Sequence, residues 1–168
     1  MAHDARVIGN FFLDLAQSRG RDLTILSLLK LIYFAHGWHL ATRESPLISN
    51  RVEAWKHGPV IRTVYESFPG VQDRPISTRA TLRDFTKGVS VVASTEAVSA
   101  DQASLISWIY EKYGALSAYE LSRLTHAPGT PWHMIWVERR GSVSVGLVIE
   151  DHETAAYFKR QLNLEARN

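Results

Sequence analysis

Leu28-Leu29-Lys30-Leu31-Ile32-Tyr33-Phe34-Ala35-His36-Gly37-Trp38-His39-Leu40 decides the fold. A helix lying on a protein surface divides into an apolar and a polar face, whereas this run is apolar almost all round. It reads as a central, buried helix against which the other elements pack. Thr24 is placed to cap its start through the side-chain hydroxyl, and Gly37 is tolerable so close to its end. After the turn Glu44-Ser45-Pro46 comes the second informative run, Val52-Glu53-Ala54-Trp55-Lys56-His57-Gly58-Pro59-Val60-Ile61-Arg62-Thr63-Val64-Tyr65. Val52 to Trp55 reads as extended, like Leu47-Ile48 before it, and Gly58-Pro59 as a hard break. Pro59 suits the first position of a new helix, where its missing N–H costs nothing. That helix presents Val60, Val64, Tyr65 and Phe68 and stops at Pro69-Gly70.

Working outward, Val7, Ile8, Phe11, Phe12 and Leu15 form one apolar stripe of an N-terminal helix that Gly20 closes. Residues 71–100 read as loops with one or two short strands, Val89 to Ala93 being the clearest. Asp101 is the expected cap of a helix that buries Leu105, Ile106, Ile109 and Tyr113 and ends at Gly114. Ser117-Ala118-Tyr119-Glu120 is a capping box, with Leu121 and Leu124 expected inward. Pro128-Gly129-Thr130-Pro131 breaks the chain before a helix from Pro131 to Val137. Val143, Val145, Leu147 and Ile149 alternate as in a strand, and a last helix spans about Asp151 to Leu164, with Tyr157, Phe158 and Leu162 apolar. The expected architecture is mainly α: one compact helical domain over residues 1–168 around a central apolar helix, with minor short β-strands.

A chain of 168 residues buries roughly two-thirds of its unfolded surface and needs no covalent staple. With no cysteine there is no disulfide framework and no thiolate metal site. The N-terminus reads as an amphipathic helix rather than a signal peptide. The most apolar run, Ile25 to Leu40, contains Lys30, His36 and His39 and is too short to span a bilayer comfortably. A cytoplasmic chain with no membrane partner is expected. The formal net charge is +2, and residues 43–83 carry seven basic against four acidic side chains. That density falls short of a nucleic-acid footprint, so nucleic acid is an unfavoured partner.

Catalytic patterns are missing from the sequence. His36 and His39 stand at i, i+3, near enough to share a metal, but no His-Glu-x-x-His completes them. Hydrogen bonding to helix ends and tryptophan neighbours is the expected use of the histidines. There is no Gly-x-Ser-x-Gly and no phosphate-binding glycine loop, and nothing identifies Glu53 and Glu66 as an acid/base pair. No cofactor, metal or catalytic residue is assigned. Lys30 either runs its stem to the surface or pairs internally with a carboxylate such as Glu53. Trp38, Trp55, Trp108, Trp132 and Trp136 are read first as core, although Trp55, Tyr65 and Trp132 flank chain breaks where they could line a groove. Ser117 to Trp136 has the outline of a helix-turn-helix, which leaves a DNA-binding regulator as one alternative. Its second helix offers His133, Met134, Ile135 and Trp136 in place of the usual base-reading side chains. A small histidine-dependent metalloenzyme is the remaining alternative.

The blocks Leu29 to Leu40, Glu53 to Val60 with Val64-Tyr65, and Leu121-Ser122-Arg123-Leu124-Thr125-His126 with Pro131-Trp132 resemble the Panacea domain of SocA-like antitoxins, a family that includes phage-associated proteins. The resemblance covers about residues 5–165. It implies a non-enzymatic antitoxin of a bacterial or prophage toxin–antitoxin system that neutralises a cognate toxin by direct binding. It also brings in a role as proteolytic adaptor that hands the toxin to a AAA+ protease. Among the motif positions, Lys30, Tyr33, Glu53, Gly58, Pro59 and His126 are taken as structural. Arg51, Trp55, Lys56, His57, Arg62, Tyr65 and Trp132 are the candidate toxin-binding residues, around a groove near Trp55 and Tyr65 rimmed by Arg51, Lys56 and Arg62.

Overall fold

The structure is a computed structural model and describes residues 1–138 and 146–167. Along the chain run α1 (Ala5–Ser18), α2 (Ile25–Arg43), β1 (Val52–Trp55), β2 (Gly58–Val60), α3 (Arg62–Glu66), β3 (Thr81–Asp84), β4 (Val89–Val92), α4 (Ala100–Tyr113), α5 (Ala118–His126) and α6 (Pro131–His133). The last of these continues as a π-helical turn over Met134–Glu138, and β5 (Val148–Ile149) and α7 (Asp151–Glu165) follow. The fold is mainly α, as the sequence implies.

α2 is the axis of the molecule. Every residue from Ser27 to Ala41 is buried, and α7, α1 and α4 pack around it. The Thr24 hydroxyl accepts the Ser27 N–H at its start, and Glu44, in the left-handed region at φ 52°, ends it. Gly37 turns out to be required. A Cβ there would lie 2.2 Å from the Phe158 ring, which α7 lays directly on the α2 backbone. α1 buries Val7, Ile8, Phe12 and Leu13 and is capped by Asp4.

Three local expectations need correction. α4 is capped by Ser99 in a reciprocal box with Gln102, and Asp101 instead pairs with Arg43 at 2.7 Å. In α5 the Ser117–Glu120 box forms and Leu121 is buried, but Leu124 faces solvent, because the short helix offers the core a single narrow stripe. Gly58-Pro59 does not open a helix. The two residues lie in β2, joined to β1 by the two-residue turn Lys56-His57, with Ala54 opposite Pro59 and Trp55 opposite Gly58. β1 is the centre of a three-stranded antiparallel sheet in the order β2-β1-β5. β2 is therefore an edge strand, where a residue lacking an N–H is tolerated. The helix begins three residues later, at Arg62.

Of the alternating run near the C-terminus, Val143 and Val145 lie outside the described residues. Val148–Ile149 pairs with Val52 and Glu53. β3 and β4 form a separate antiparallel hairpin within the stretch read as mostly loop. Among the described residues no helix is long and apolar enough to cross a membrane.

Candidate functional site

The β1–β2 hairpin stands beside the N-terminal half of α2, facing α3 and the segment that follows it. An open groove of about 810 Å³ runs between them. Ile25, Leu26 and Leu29 of α2 form its floor. Trp55 and Val60 come from the hairpin, and Tyr65, Phe68 and Pro69 from the opposite side. Lys56 and His57 line it at the hairpin tip, Glu66 and Asp73 on the far side. Charges of both signs thus border an apolar floor.

The aromatic pair at the centre is held in place from behind. The Trp55 indole N–H donates to Glu53 Oε2 at 2.7 Å, and the Arg62 guanidinium grips the same carboxylate at 3.1 and 2.9 Å. Arg62 also lies over the Trp55 ring, 5.2 Å from its centre. Burial works against ionisation of Glu53, but the hydrogen bonds from Arg62 and Trp55 hold its carboxyl below the usual range. Tyr65 meets Trp55 edge-on at 5.3 Å and remains 45% exposed. Immobilised indoles and half-exposed phenols are the side chains that protein interfaces most often use as anchors.

Beneath the hairpin lies Lys30. Its side chain is fully buried, and its ammonium donates to the Pro59 carbonyl at 3.2 Å. It neither reaches the surface nor pairs with Glu53, whose carboxylate is taken by Arg62 and Trp55. Burial pushes the Lys30 amine down to about 7. Gly58, at φ 109°, makes room for the amine, since a Cβ there would lie 2.6 Å from Lys30 Cε. Trp132 fastens the same hairpin from below. Its indole N–H donates to the Trp55 carbonyl at 2.8 Å, and its face stacks on the His126 ring at 3.8 Å.

The sequence-derived candidates therefore separate. Trp55, Lys56, His57 and Tyr65 come together in the groove. Trp132 is buried behind it, Arg62 is committed to Glu53 and Trp55, and Arg51 precedes β1 outside the lining. Gly58 and Pro59 form the second strand of the hairpin, Lys30 and His126 lie beneath it, and Tyr33 is buried with its ring edge-on to Phe158. Sequence reasoning missed Leu26 and Leu29, hidden in an all-apolar helix, and the acidic border of Glu66 and Asp73.

The remaining histidine and helix-turn-helix readings meet specific contacts. His36 Nε2 bonds Asp151 Oδ1 at 2.9 Å, fastening α7 to α2, while His39 Nδ1 bonds the Ser45 carbonyl at 2.6 Å. The two histidines serve different partners. In the segment from Pro131, the residues Pro131, Trp132 and Ile135 are buried in the core, while His133, Met134 and Trp136 are half-buried and Val137 is exposed.

The family model described as "Antitoxin SocA-like, Panacea domain" matches residues 28–133, from the start of the central helix through α6. Antitoxin SocA of Caulobacter vibrioides is 34% identical over 158 residues, which cover 94% of this chain and 84% of that protein. No solved structure matches. With the motif residues placed in and under one hairpin and the match running along most of its length, the chain belongs to the SocA-like antitoxin family and carries its Panacea domain.

Proposed function

We propose that this chain neutralises a toxin encoded beside it by direct protein–protein contact, and that the groove between the β1–β2 hairpin and α3 receives the toxin. The observation that carries the reading is the Trp55–Tyr65 pair over an apolar floor, with Trp55 fixed by Glu53, Arg62 and the Trp132 contact to its carbonyl. Anchors already locked in position lose little conformational freedom on binding, so most of their burial is available as affinity. The opposite charges at the two ends orient the partner more than they hold it. On this reading the protein works by occupying a surface and turns over no substrate, and residues 1–168 act as one domain.

Co-expression with each neighbouring open reading frame, scoring growth rescue and co-purification, tests the function. Failure to complex with any flanking product would defeat it. The site is tested with Tyr65→Ala, which should weaken the complex by about 2 kcal/mol or more, the loss expected of an interface anchor. The control Leu124→Ser, on an exposed α5 position, should leave it intact. Undiminished binding by Tyr65→Ala together with Leu26→Glu would remove the groove from the proposal while keeping the antitoxin. Delivery to a AAA+ protease is separated from plain occlusion by toxin half-life: only delivery makes the toxin longer-lived when the protease is deleted.

A further inference from the structure

We propose that the outer edge of β4 is a docking strand for an acidic, extended segment of a partner protein, which adds to the β3–β4 hairpin as a third strand. The inference is independent of the groove, which lies on other elements.

The hydrogen-bond pattern leaves that edge open. The Ala93 N–H donates to the Ala80 carbonyl, so alternation along the antiparallel ladder turns Leu82 with Val91 and Asp84 with Val89 inward. The backbone groups of Ser90 and Val92 then point outward from β4, and those of Thr81 and Arg83 outward from β3. On β3 the edge is already engaged, because Arg6 Nη1 donates to the Thr81 carbonyl at 3.1 Å. On β4 all four residues are exposed, Val92 by 58%, and Phe85 in the adjoining turn by 86%. Natural edges are normally guarded by a charge, a proline or a bulge. Val89-Ser90-Val91-Val92 carries no charge and no proline, and its register with β3 is unbroken.

Charge identifies the occupant. Arg83 stands opposite Ser90 on the same face and has no ion pair among the described residues. The small serine leaves the guanidinium free to reach across to a carboxylate on an added strand. Lys87 lies 3.7 Å from Asp84 Oδ2, while Asp84 Oδ1 accepts from the Thr86 N–H, the Thr86 hydroxyl and the Lys87 N–H, so Asp84 balances Lys87 and leaves Arg83 as the uncompensated charge. The surplus on the hairpin is cationic. The β4 strand of a second copy would bring valines and a serine to Arg83, whereas an acidic extended segment brings the missing charge. Main-chain bonding then supplies affinity and the alternate carboxylates supply preference.

Amide NMR on the isotope-labelled full chain, titrated with the capped peptide Val-Glu-Val-Glu-Val, tests this. Saturable shifts centred on the Ser90 and Val92 amides are expected, with weaker binding of Val-Lys-Val-Lys-Val. Ser90→Pro removes an outward N–H and leaves the inner ladder bonded; it should cut affinity by about tenfold. Arg83→Glu should reverse the preference between the peptides. No shift at about 1 mM peptide, equal binding of both peptides, or unchanged binding by Ser90→Pro would overturn the proposal. So would shifts of the β4 amides with concentration of the chain alone, since these would assign the edge to self-pairing.

Discussion

Lys30 shows how far one side chain's identity can be from its role. The sequence presents a cation in an oily helix and offers two familiar outcomes, escape to solvent or a buried ion pair. The structure shows a third, in which Gly58 gives up the space a Cβ would fill and Pro59 supplies a carbonyl. The consequence is measurable. The folded amine releases its proton at about 7, below its ordinary value of 10.5. Between those values the unfolded chain holds a proton that the folded chain lacks, so unfolding takes one up and stability rises with pH. The expected slope approaches about 1.4 kcal/mol per pH unit, and at pH 7 and below nearly the whole cost is present. Lys30→Met removes the buried charge and should raise stability near pH 7 by about 1–4 kcal/mol. Its denaturation profiles should also lack the extra rise toward alkaline pH. Parallel pH profiles for the two proteins would contradict an ammonium buried in this way.

The two hairpins account for most of the difference between expectation and structure. Gly58-Pro59 carries a helix-start signature, and the same residues are equally suited to an edge strand. In the structure they pair with Ala54 and Trp55 of β1, whose other side is covered by β5 from the far end of the chain. The β3–β4 hairpin was partly legible, since Val89 to Ala93 has strand composition, but its anchor was not. Buried Asn10 of α1 accepts the Ala80 N–H at 2.8 Å and donates to the Ala80 and Ala93 carbonyls at 2.9 Å, closing the ladder where a further rung would stand. An isolated two-stranded hairpin is marginal in water, so this amide holds the element in place. Asn10→Leu should cost about 1–3 kcal/mol through the unpaired groups it leaves. Hydrogen exchange should quicken across residues 80–93 before it quickens in α2. Uniform acceleration over the chain would show that Asn10 serves the core and not the hairpin.

Taken as a body, the molecule is a helix-centred core with an open groove assembled from α2, the β1–β2 hairpin and α3. The groove depends on all three, so each part has a meaning it lacks alone: Leu26 is floor, Trp55 is wall, and Lys56 is rim. Lys56 is exposed and Arg62 is not free, which separates two charge reversals that look alike in the sequence. Lys56→Glu should slow association with the toxin, increasingly at low salt, and leave thermal stability unchanged. Arg62→Glu would also release Glu53 and Trp55, so the complex formed with it should dissociate faster. Stopped-flow association rates check the first and dissociation rates the second, and an unaltered association rate for Lys56→Glu would speak against the groove.

The parts of this protein that could be read from the chain are those whose physics is local or one-dimensional. They are the all-round apolarity that buries α2, the hydroxyl of Thr24 at its start, the Ser117–Glu120 box and the closing Asp151–Glu165 helix. Each rests on groups within a few residues of one another, or on a pattern that a helix repeats along its length. Packing settled the rest. The β2-β1-β5 sheet, the Gly37–Phe158 contact, the depth of Lys30 and the convergence of Leu26, Trp55 and Tyr65 all join residues distant in the chain. A contact of that kind leaves its mark in three dimensions, because what matters is the space between two elements and not the order in which they are written.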